Sequence, residues 1–296
     1  LRIFLTGATG FIGTHLRRAF VRDGHQVAGL TRGPREEEEG VTWVQSDVND
    51  QDRLAEGMHG CEAVVHLIGI ITEQGEQTFQ RMHAQATEHV LSAMRRTKLR
   101  RLLHMSALGA GPRQPTEYFR TKWAAEELVR ASAIDYTIFR PSTVFGPGDG
   151  FVSTLVTQLR RFPVIPIIGK GNYPMAPISV HAVVQAFLQA LSLDGPATAK
   201  TFELCGPEVL TFEQIVTLIA DHLGIKKARA HLPVSLVNLG IDLLRFMHIT
   251  SPITRDQLDM LLLGSVCADH GAIQVFDLPH ITLAEGIREY VRPARR

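Results

Sequence analysis

The chain has 296 residues, 45% of them hydrophobic and 21% charged, and 31 Lys and Arg against 30 Asp and Glu leave a formal net charge of +1. A chain of this length and composition buries a sizeable core as one large domain or two smaller ones, which excludes disorder, a collagen-like repeat and a disulfide scaffold. The balanced charge argues against a dedicated nucleic-acid binder.

In chain order, Leu1–Leu5 reads as a strand ending at Thr6-Gly7, Phe11–Arg22 as a helix, and Gln26–Leu30 and Val41–Gln45 as strands. Asp52–Met58 is a short helix, Ala63–Gly69 a buried strand, Phe79–Arg96 a long helix and Leu102–Ser106 the next strand. Thr121–Ala131 is a helix and Tyr136–Arg140 a strand. This alternation predicts an α/β fold, a Rossmann-type doubly wound parallel sheet covered on both faces. After Arg140 the pattern changes. Pro141–Pro177 is rich in Pro and Gly with one helix near Val152–Arg161, Val180–Leu193 is helical, and Thr201–Cys205 is a strand. Thr211 is placed to cap a helix Phe212–Leu223 that Gly224 stops, and the chain from Lys226 reads as mostly helical. The expected organisation is a dinucleotide-binding domain over 1–145, to which segments around 178–205 return, and a smaller, mainly helical C-terminal region over 146–296.

Cys61, Cys205 and Cys267 are odd in number, far apart and without a C-x-x-C pair, so reduced thiols in a cytoplasm-like compartment are expected rather than a zinc site or a disulfide. The 13 histidines are scattered with no H-E-x-x-H, and no metal is expected. The apolar stretch Leu232–Ile249 is interrupted by Asn238, Asp242 and Arg245, so no membrane span is expected, with peripheral membrane association left open. The chain opens directly on a strand and a glycine turn, so no removable leader is expected within it.

The turn Thr6-Gly7-Ala8-Thr9-Gly10-Phe11-Ile12-Gly13 lies between the first strand and the first helix and has G-x-x-G-x-x-G spacing. Gly7 suits a tight turn, Gly10 lets the backbone approach a pyrophosphate and Gly13 lets the helix pack against the sheet. Thr9, Phe11 and Ile12 bring the helix N-terminus, with its free N–H groups and positive dipole end, to the phosphates. The second strand ends in Leu30-Thr31-Arg32 with no acid to hold a ribose 2′-hydroxyl. Arg32 can pair with a 2′-phosphate, which favours NADP(H) over NAD(H); the alternative is a solvated surface arginine. Glu36–Glu39 reads as a solvated charge run that would oppose phosphate binding if it folded back. Asp47 is placed to accept from an adenine amino group, with Val48 against the ring, or to cap the next helix. Leu67, Ile68 and Gly69 close the fourth strand at the cofactor edge, where Gly69 permits close approach. Met105 lines the same edge. His66, inside an apolar strand, reads as a satisfied core residue.

Tyr118-Phe119-Arg120-Thr121-Lys122 is a Y-x-x-x-K in which phenol and ammonium share one helix face. A nearby cation is expected to lower the phenol's pKa toward a useful acid/base value. Ser106 follows an apolar strand and faces the crevice where α/β folds bind ligands. Together with the glycine turn and Arg140-Pro141-Ser142-Thr143-Val144-Phe145-Gly146-Pro147, these residues resemble the extended short-chain dehydrogenase/reductase superfamily. Within it the chain resembles the atypical subgroup that holds the nucleotide-binding accessory subunit of respiratory complex I and bacterial NAD-dependent epimerase/dehydratase-like proteins. The resemblance implies that Tyr118 moves the substrate hydroxyl proton, Lys122 tunes it and holds the ribose, Ser106 orients the substrate oxygen, and Pro141, Ser142 and Thr143 line the nicotinamide. His83 stands where the superfamily often has Asn, either as a proton relay or as packing.

The helical reading of Leu236–Ile249 puts Asn238, Asp242, Arg245 and His248 on one stripe and apolar residues almost everywhere else. Leu258–Leu263 adds another apolar stretch. The readings are a well-buried helix, or a helix that covers an apolar substrate or docks a hydrophobic partner. The basic run Arg95–Arg101 reads as a solvated helix end, or as a docking patch for an anionic partner. Two functions follow: an NADP(H)-dependent oxidoreductase or epimerase-type enzyme acting on a small molecule, or a non-catalytic NADP(H)-binding structural, assembly or sensor protein.

Overall fold

The computed structural model describes residues 1–192, 197–247 and 253–293; Leu193, His248 and Ile249 lie outside the described residues, as do the side chains of Arg245 and Phe246. The chain divides into two units. The first is Leu1–Pro141, Val180–Leu204 and Ala268–Pro279, and the second is Ser142–Ser179, Cys205–Cys267 and His280–Arg296.

The first unit is built on β1 (Arg2–Thr6), β2 (Gln26–Thr31), β3 (Val41–Gln45), β4 (Ala63–His66), β5 (Arg101–Met105), β6 (Asp135–Pro141) and the strand Lys200–Leu204. They form one parallel sheet in the order Lys200–Leu204, β6, β5, β4, β1, β2, β3. All four residues of β4 are buried, as a central parallel strand covered on both faces requires. Helices α1 (Phe11–Arg22), α2 (Gln51–Met58), α3 (Ala86–Thr97) and α4 (Glu117–Arg130) cover the sheet. One face packs Phe4, Val64, Leu102 and Ile138 with Leu54 and Met58 of α2, Val90 and Met94 of α3 and Val129 of α4. Elsewhere in the unit Phe139 meets Phe187 at 4.5 Å and Phe276 at 5.6 Å between ring centroids. Each fully buried side chain of this size contributes about 1.5–3 kcal/mol.

The strand order reverses between β1 and β4, and the ends of these two strands form the switch-point crevice of a doubly wound sheet. The loops after them touch there: a Cβ on Gly7 would lie 3.2 Å from Leu67 Cβ and 3.3 Å from Ile68 N.

Several boundaries differ from the sequence reading, each for a local reason. β4 stops at His66 rather than Gly69, because the Leu67 amide donates to Thr6 Oγ1 (3.2 Å). The long helix over 79–96 opens as a π-helical turn, Gln80–Gln85, before α3 begins. α4 starts at Glu117, where Thr116 Oγ1 accepts from Phe119 N (3.3 Å), so Tyr118 sits in its first turn. Of the basic run, Arg95 and Arg96 end α3 in solvent, whereas Arg101 donates to Thr137 Oγ1 (2.9 Å) and Ala190 O (2.6 Å) and belongs to the sheet.

The second unit centres on Phe145, Val152, Leu159, Ile167, Phe212, Ile215, Ile219, Leu283 and Ile287. Thr211 caps the helix Phe212–His222 in a capping box with Gln214. The region after Lys226 is not wholly helical: Arg229–Leu232 pairs in parallel with Ile165–Ile168. The expectation of three reduced thiols is corrected. Cys205 and Cys267, 62 residues apart, form a disulfide, and only Cys61 is free. Sequence distance hid the pair, because chain segments flanking the two cysteines meet: Glu203 accepts from Ala268 N (2.8 Å) and Asp269 N (3.1 Å). A bond closing a loop of this length stabilises by about 4 kcal/mol in the chain-entropy account.

The helix Val234–Phe246 is not the well-buried helix expected. Ile241 is buried, but Leu236 (54%), Leu239 (64%), Leu243 (55%) and Met247 (48%) are exposed. Among the described residues no helix is long and apolar enough to cross a membrane.

Candidate functional site

The turn after β1 takes the shape its glycines permit. Gly7 has φ +68°, in the left-handed region, and Gly10 N donates to Gly7 O (3.0 Å). A Cβ on Gly13 would lie 2.0 Å from Gly7 O, so only glycine lets α1 start this close to the turn. Thr9 and Gly10 are exposed at the tip, and no side chain caps α1. A helix N-terminus left open in this way suits an anion.

Beyond β2, Arg32 is exposed and makes no ion pair or hydrogen bond among the described residues. The acidic run is not simply solvated. Glu38 turns inward to ion-pair with Arg17 of α1, which lies 4.8 Å over the Trp43 ring, and Trp43 Nε1 donates to Glu36 O (3.0 Å). The run thus occupies the Arg17 guanidinium and leaves Arg32 and Arg35 as exposed cations after β2, Arg35 donating from Nε to Thr31 Oγ1 (3.4 Å). Asp47 does not cap α2. Its Oδ1 accepts from Asn49 N (2.9 Å), while Asp50 caps the helix through Arg53 N (3.0 Å). Val48 is buried.

A row of buried polar side chains runs across the carboxyl ends of the central strands. Thr6, His66 and His104 occupy adjacent register positions on β1, β4 and β5. His66, wholly buried, is satisfied at both ring nitrogens, by Thr6 Oγ1 (2.7 Å) and Thr87 Oγ1 (3.1 Å), as a core histidine should be. Burial, helped by Lys122, lowers its pKa to about 3. His104, 5.4 Å from His66 between centroids, is buried with neither nitrogen hydrogen-bonded among the described residues. Its pKa lies well below the usual histidine value, through burial and then His66 and Lys122.

Above this row, α4 supplies Tyr118 and Lys122. Buried Glu126 anchors the helix to β6, accepting from Arg140 Nε (2.8 Å) and Nη2 (2.6 Å). Lys122 is buried and its Nζ donates to Met105 O (3.2 Å). A Cβ on Gly69 would lie 2.7 Å from that Nζ, so the glycine lets the ammonium reach the loop after β4. Burial lowers Lys122 to about 8 against the opposing pull of Glu126. Tyr118 is half-buried, and burial raises its phenol to about 12. The expected lowering by Lys122 is not what the site shows: desolvation of the phenol raises its pKa instead.

Ser106, next in the chain after β5, is 4% exposed, and its Oγ has no partner among the described residues. Pro141 ends β6 and its carbonyl accepts from Leu108 N (3.0 Å). Ser142 and Thr143 belong to the second unit. There Ser142 Oγ donates to Ala176 O, and Thr143 O accepts from Ile178 N (3.0 Å). The structure therefore gathers the glycine turn, Leu67–Gly69, Met105, Ser106, Tyr118, Lys122 and His83 in the first unit. Thr6, Thr87, Thr121 and His104 were missed; their signal was a polar residue closing an otherwise apolar strand, or a threonine at helical spacing from a site residue.

The fold and its polar switch-point crevice define a class, the Rossmann-type α/β proteins that hold a ligand at the carboxyl ends of their strands. The chain belongs to the NAD dependent epimerase/dehydratase family, whose model matches residues 3–205, and that family binds a nicotinamide dinucleotide. It is similar to "NADH dehydrogenase (ubiquinone) 1 alpha subcomplex subunit 9, mitochondrial" of Arabidopsis thaliana, 30% identical over 225 residues, 73% of this chain and 56% of the relative. It is also similar to a ceramide reductase of Caulobacter vibrioides, 31% identical over 174 residues, 57% of this chain and 55% of the relative. The chain thus spans just over half the length of these relatives. The UDP-glucuronic acid 4-epimerase of Bacillus cereus, solved with UDP-glucuronic acid and NAD, shares its fold at a TM-score of 0.77 and 20% identity over 97% of each chain.

Proposed function

We propose that the chain binds NADP(H) at the crevice above β1 and β4 and interconverts a carbonyl and an alcohol on a small molecule. Ser106 carries this reading. A buried hydroxyl without a partner is costly, and a substrate oxygen at the end of β5 would satisfy it. The dinucleotide, when bound, supplies the hydride to the carbonyl carbon or takes it from the alcohol carbon. With a pKa near 12, Tyr118 is protonated at neutral pH; it gives its phenolic proton to the carbonyl oxygen in reduction and takes one back in oxidation. Ser106 Oγ donates to the same oxygen and orients it. Lys122, cationic at neutral pH, holds ribose hydroxyls at the Gly69 edge and stabilises the phenolate that Tyr118 leaves. The unpaired Arg32 and the lack of an acid at the end of β2 support NADP(H) over NAD(H). The Caulobacter relative, a ceramide reductase, supports an apolar substrate.

The test is turnover of a carbonyl panel with NADPH. Tyr118→Phe should lower kcat by roughly 10²–10⁴-fold and leave the NADPH Kd unchanged. Arg32→Ala should cost NADPH about 10-fold in affinity and spare NADH. Wild-type protein that shows no NADPH binding sinks the proposal.

A second reading, a non-catalytic NADP(H)-binding assembly protein, draws on the exposed row Leu236, Leu239, Leu243 and Met247 and on the Arabidopsis relative, an NADH dehydrogenase subunit by name. Co-purified NADPH, no turnover and a stable partner that is lost on Leu239→Lys would favour it.

A further inference from the structure

His83 lies in the π-helical turn Gln80–Gln85, a feature that recurs at functional sites. Its ring is buried and held at both ends. Nδ1 is 2.9 Å from Thr121 Oγ1 on α4. Nε2 is 3.2 Å from the Ile70 amide nitrogen and 3.1 Å from the Ile70 carbonyl oxygen. The single proton of the Thr121 hydroxyl is used inside α4, where Glu117 O lies at 2.9 Å and Tyr118 O at 3.0 Å.

Counting donors selects the tautomer. With the proton on Nδ1, that N–H donates to Thr121 Oγ1, Nε2 accepts the Ile70 N–H, and Thr121 keeps its helix carbonyl. With the proton on Nε2, the Ile70 N–H faces another N–H and Thr121 must leave α4 to donate to the ring. Ile70 is half-buried, and an amide left there without an acceptor costs more than a carbonyl left without a donor. An imidazolium meets the same Ile70 N–H. The ionisable groups around the ring are Lys122 and Tyr118 of α4, His66 of β4 and His104 of β5; none supplies a negative charge at neutral pH, and Lys122 opposes a second proton.

We infer that His83 is a positioning residue rather than a proton relay: a neutral Nδ1–H imidazole that clamps the Gly69–Ile70 edge to α4 and so keeps Lys122 against that edge. Its one proton and its one lone pair are both committed, so it has neither to pass to Tyr118. The Gly69 contact joins the three groups, since a Cβ there would lie 2.7 Å from Lys122 Nζ and 3.5 Å from His83 Cδ2. The functional half of the inference rests on the dinucleotide reading above; the tautomer does not.

Two measurements test it. The first is the ¹⁵N spectrum of the histidine rings in the ligand-free protein from pH 6 to 8, with His83→Gln assigning the signal. A protonated Nδ1 and a bare Nε2, unchanged across that range, are expected. A protonated Nε2, or titration within it, overturns the inference whether or not the protein binds NADPH. The second is NADPH affinity. His83→Leu, which fills the space without hydrogen bonds, should weaken Kd by about 10-fold, and His83→Gln, with one donor and one acceptor, should recover to within about 3-fold. The pH profile of kcat should keep its shape in both. If both variants lose about 100-fold or more in kcat at unchanged Kd, His83 is a relay and the inference fails. If His83→Leu does not fold, the spectrum of the unmodified protein still decides.

Discussion

At the scale of single residues, the site is set by contacts that tolerate no substitution in one direction and few in the other. Gly13 is the clearest. A methyl group there would meet Gly7 O at 2.0 Å, and neither backbone can move without shifting β1 or α1. Gly13→Ala should therefore cost more than about 2 kcal/mol, read as a lowered urea midpoint, and should weaken dinucleotide binding with it. Gly24→Ala meets no atom within 4 Å, but its φ of +84° carries backbone strain alone, so its cost should be smaller and its effect on binding nil. The glycine turn was legible in the sequence because a demand on φ and on closeness selects one amino acid. The threonines around His66 and His83 were not. Thr6 bonds a ring 60 residues away and Thr121 one 38 residues away, and no local pattern marks either pairing. The effect of Lys122 on the phenol was misjudged for a related reason: spacing places two groups on one helix face but says nothing of how dry each becomes.

At the scale of elements, strand and helix alternation made the parallel sheet legible, because a central parallel strand must be apolar on both faces. Which way an amphipathic helix turns is a different matter. The helix Val234–Phe246 has enough apolar residues to suggest burial, yet Leu236, Leu239, Leu243 and Met247 recur at spacings of three and four along its exposed side. Periodicity finds such a stripe without saying what covers it. Substitutions should separate the two sides. Leu239→Lys keeps helix propensity and replaces a side chain that is mostly exposed, so unfolding free energy should stay within about 0.5 kcal/mol of wild type. Ile241→Ala, on the buried side, should cost about 2–4 kcal/mol. Equal costs in urea titrations would mean that the exposed row is covered in the protein as it exists in solution. The cysteines make the same point about separation in sequence. Odd number and wide spacing argued for free thiols, while the meeting of chain segments beside Glu203 brought two of the three together.

At the scale of the whole molecule, the buried histidines tie stability to pH. With the 13 histidines neutral the formal net charge is +1. Three of them, His66, His83 and His104, are buried with pKa values lowered first by burial, to about 3 for His66 and about 2 for His83. In the unfolded chain each regains a value near 6.5. Between the two values the unfolded state binds the extra proton, so these groups leave stability independent of pH above about pH 6.5 and cost stability progressively as pH falls toward their folded values. Each proton taken up only by the unfolded state adds a slope of about 1.4 kcal/mol per pH unit. Three together approach 4 kcal/mol per unit, which exhausts a stability of 5–15 kcal/mol within a few units below neutrality. The native fold should be lost between about pH 5 and pH 3, as followed by circular dichroism and calorimetry. His104→Leu offers the control. Neither nitrogen of His104 has a partner among the described residues, so the substitution should raise stability by about 1 kcal/mol at pH 7 and move the acid transition to lower pH. Wild type that stays folded below about pH 3, with the variant unfolding at the same pH, would show that these rings take up protons without opening the sheet.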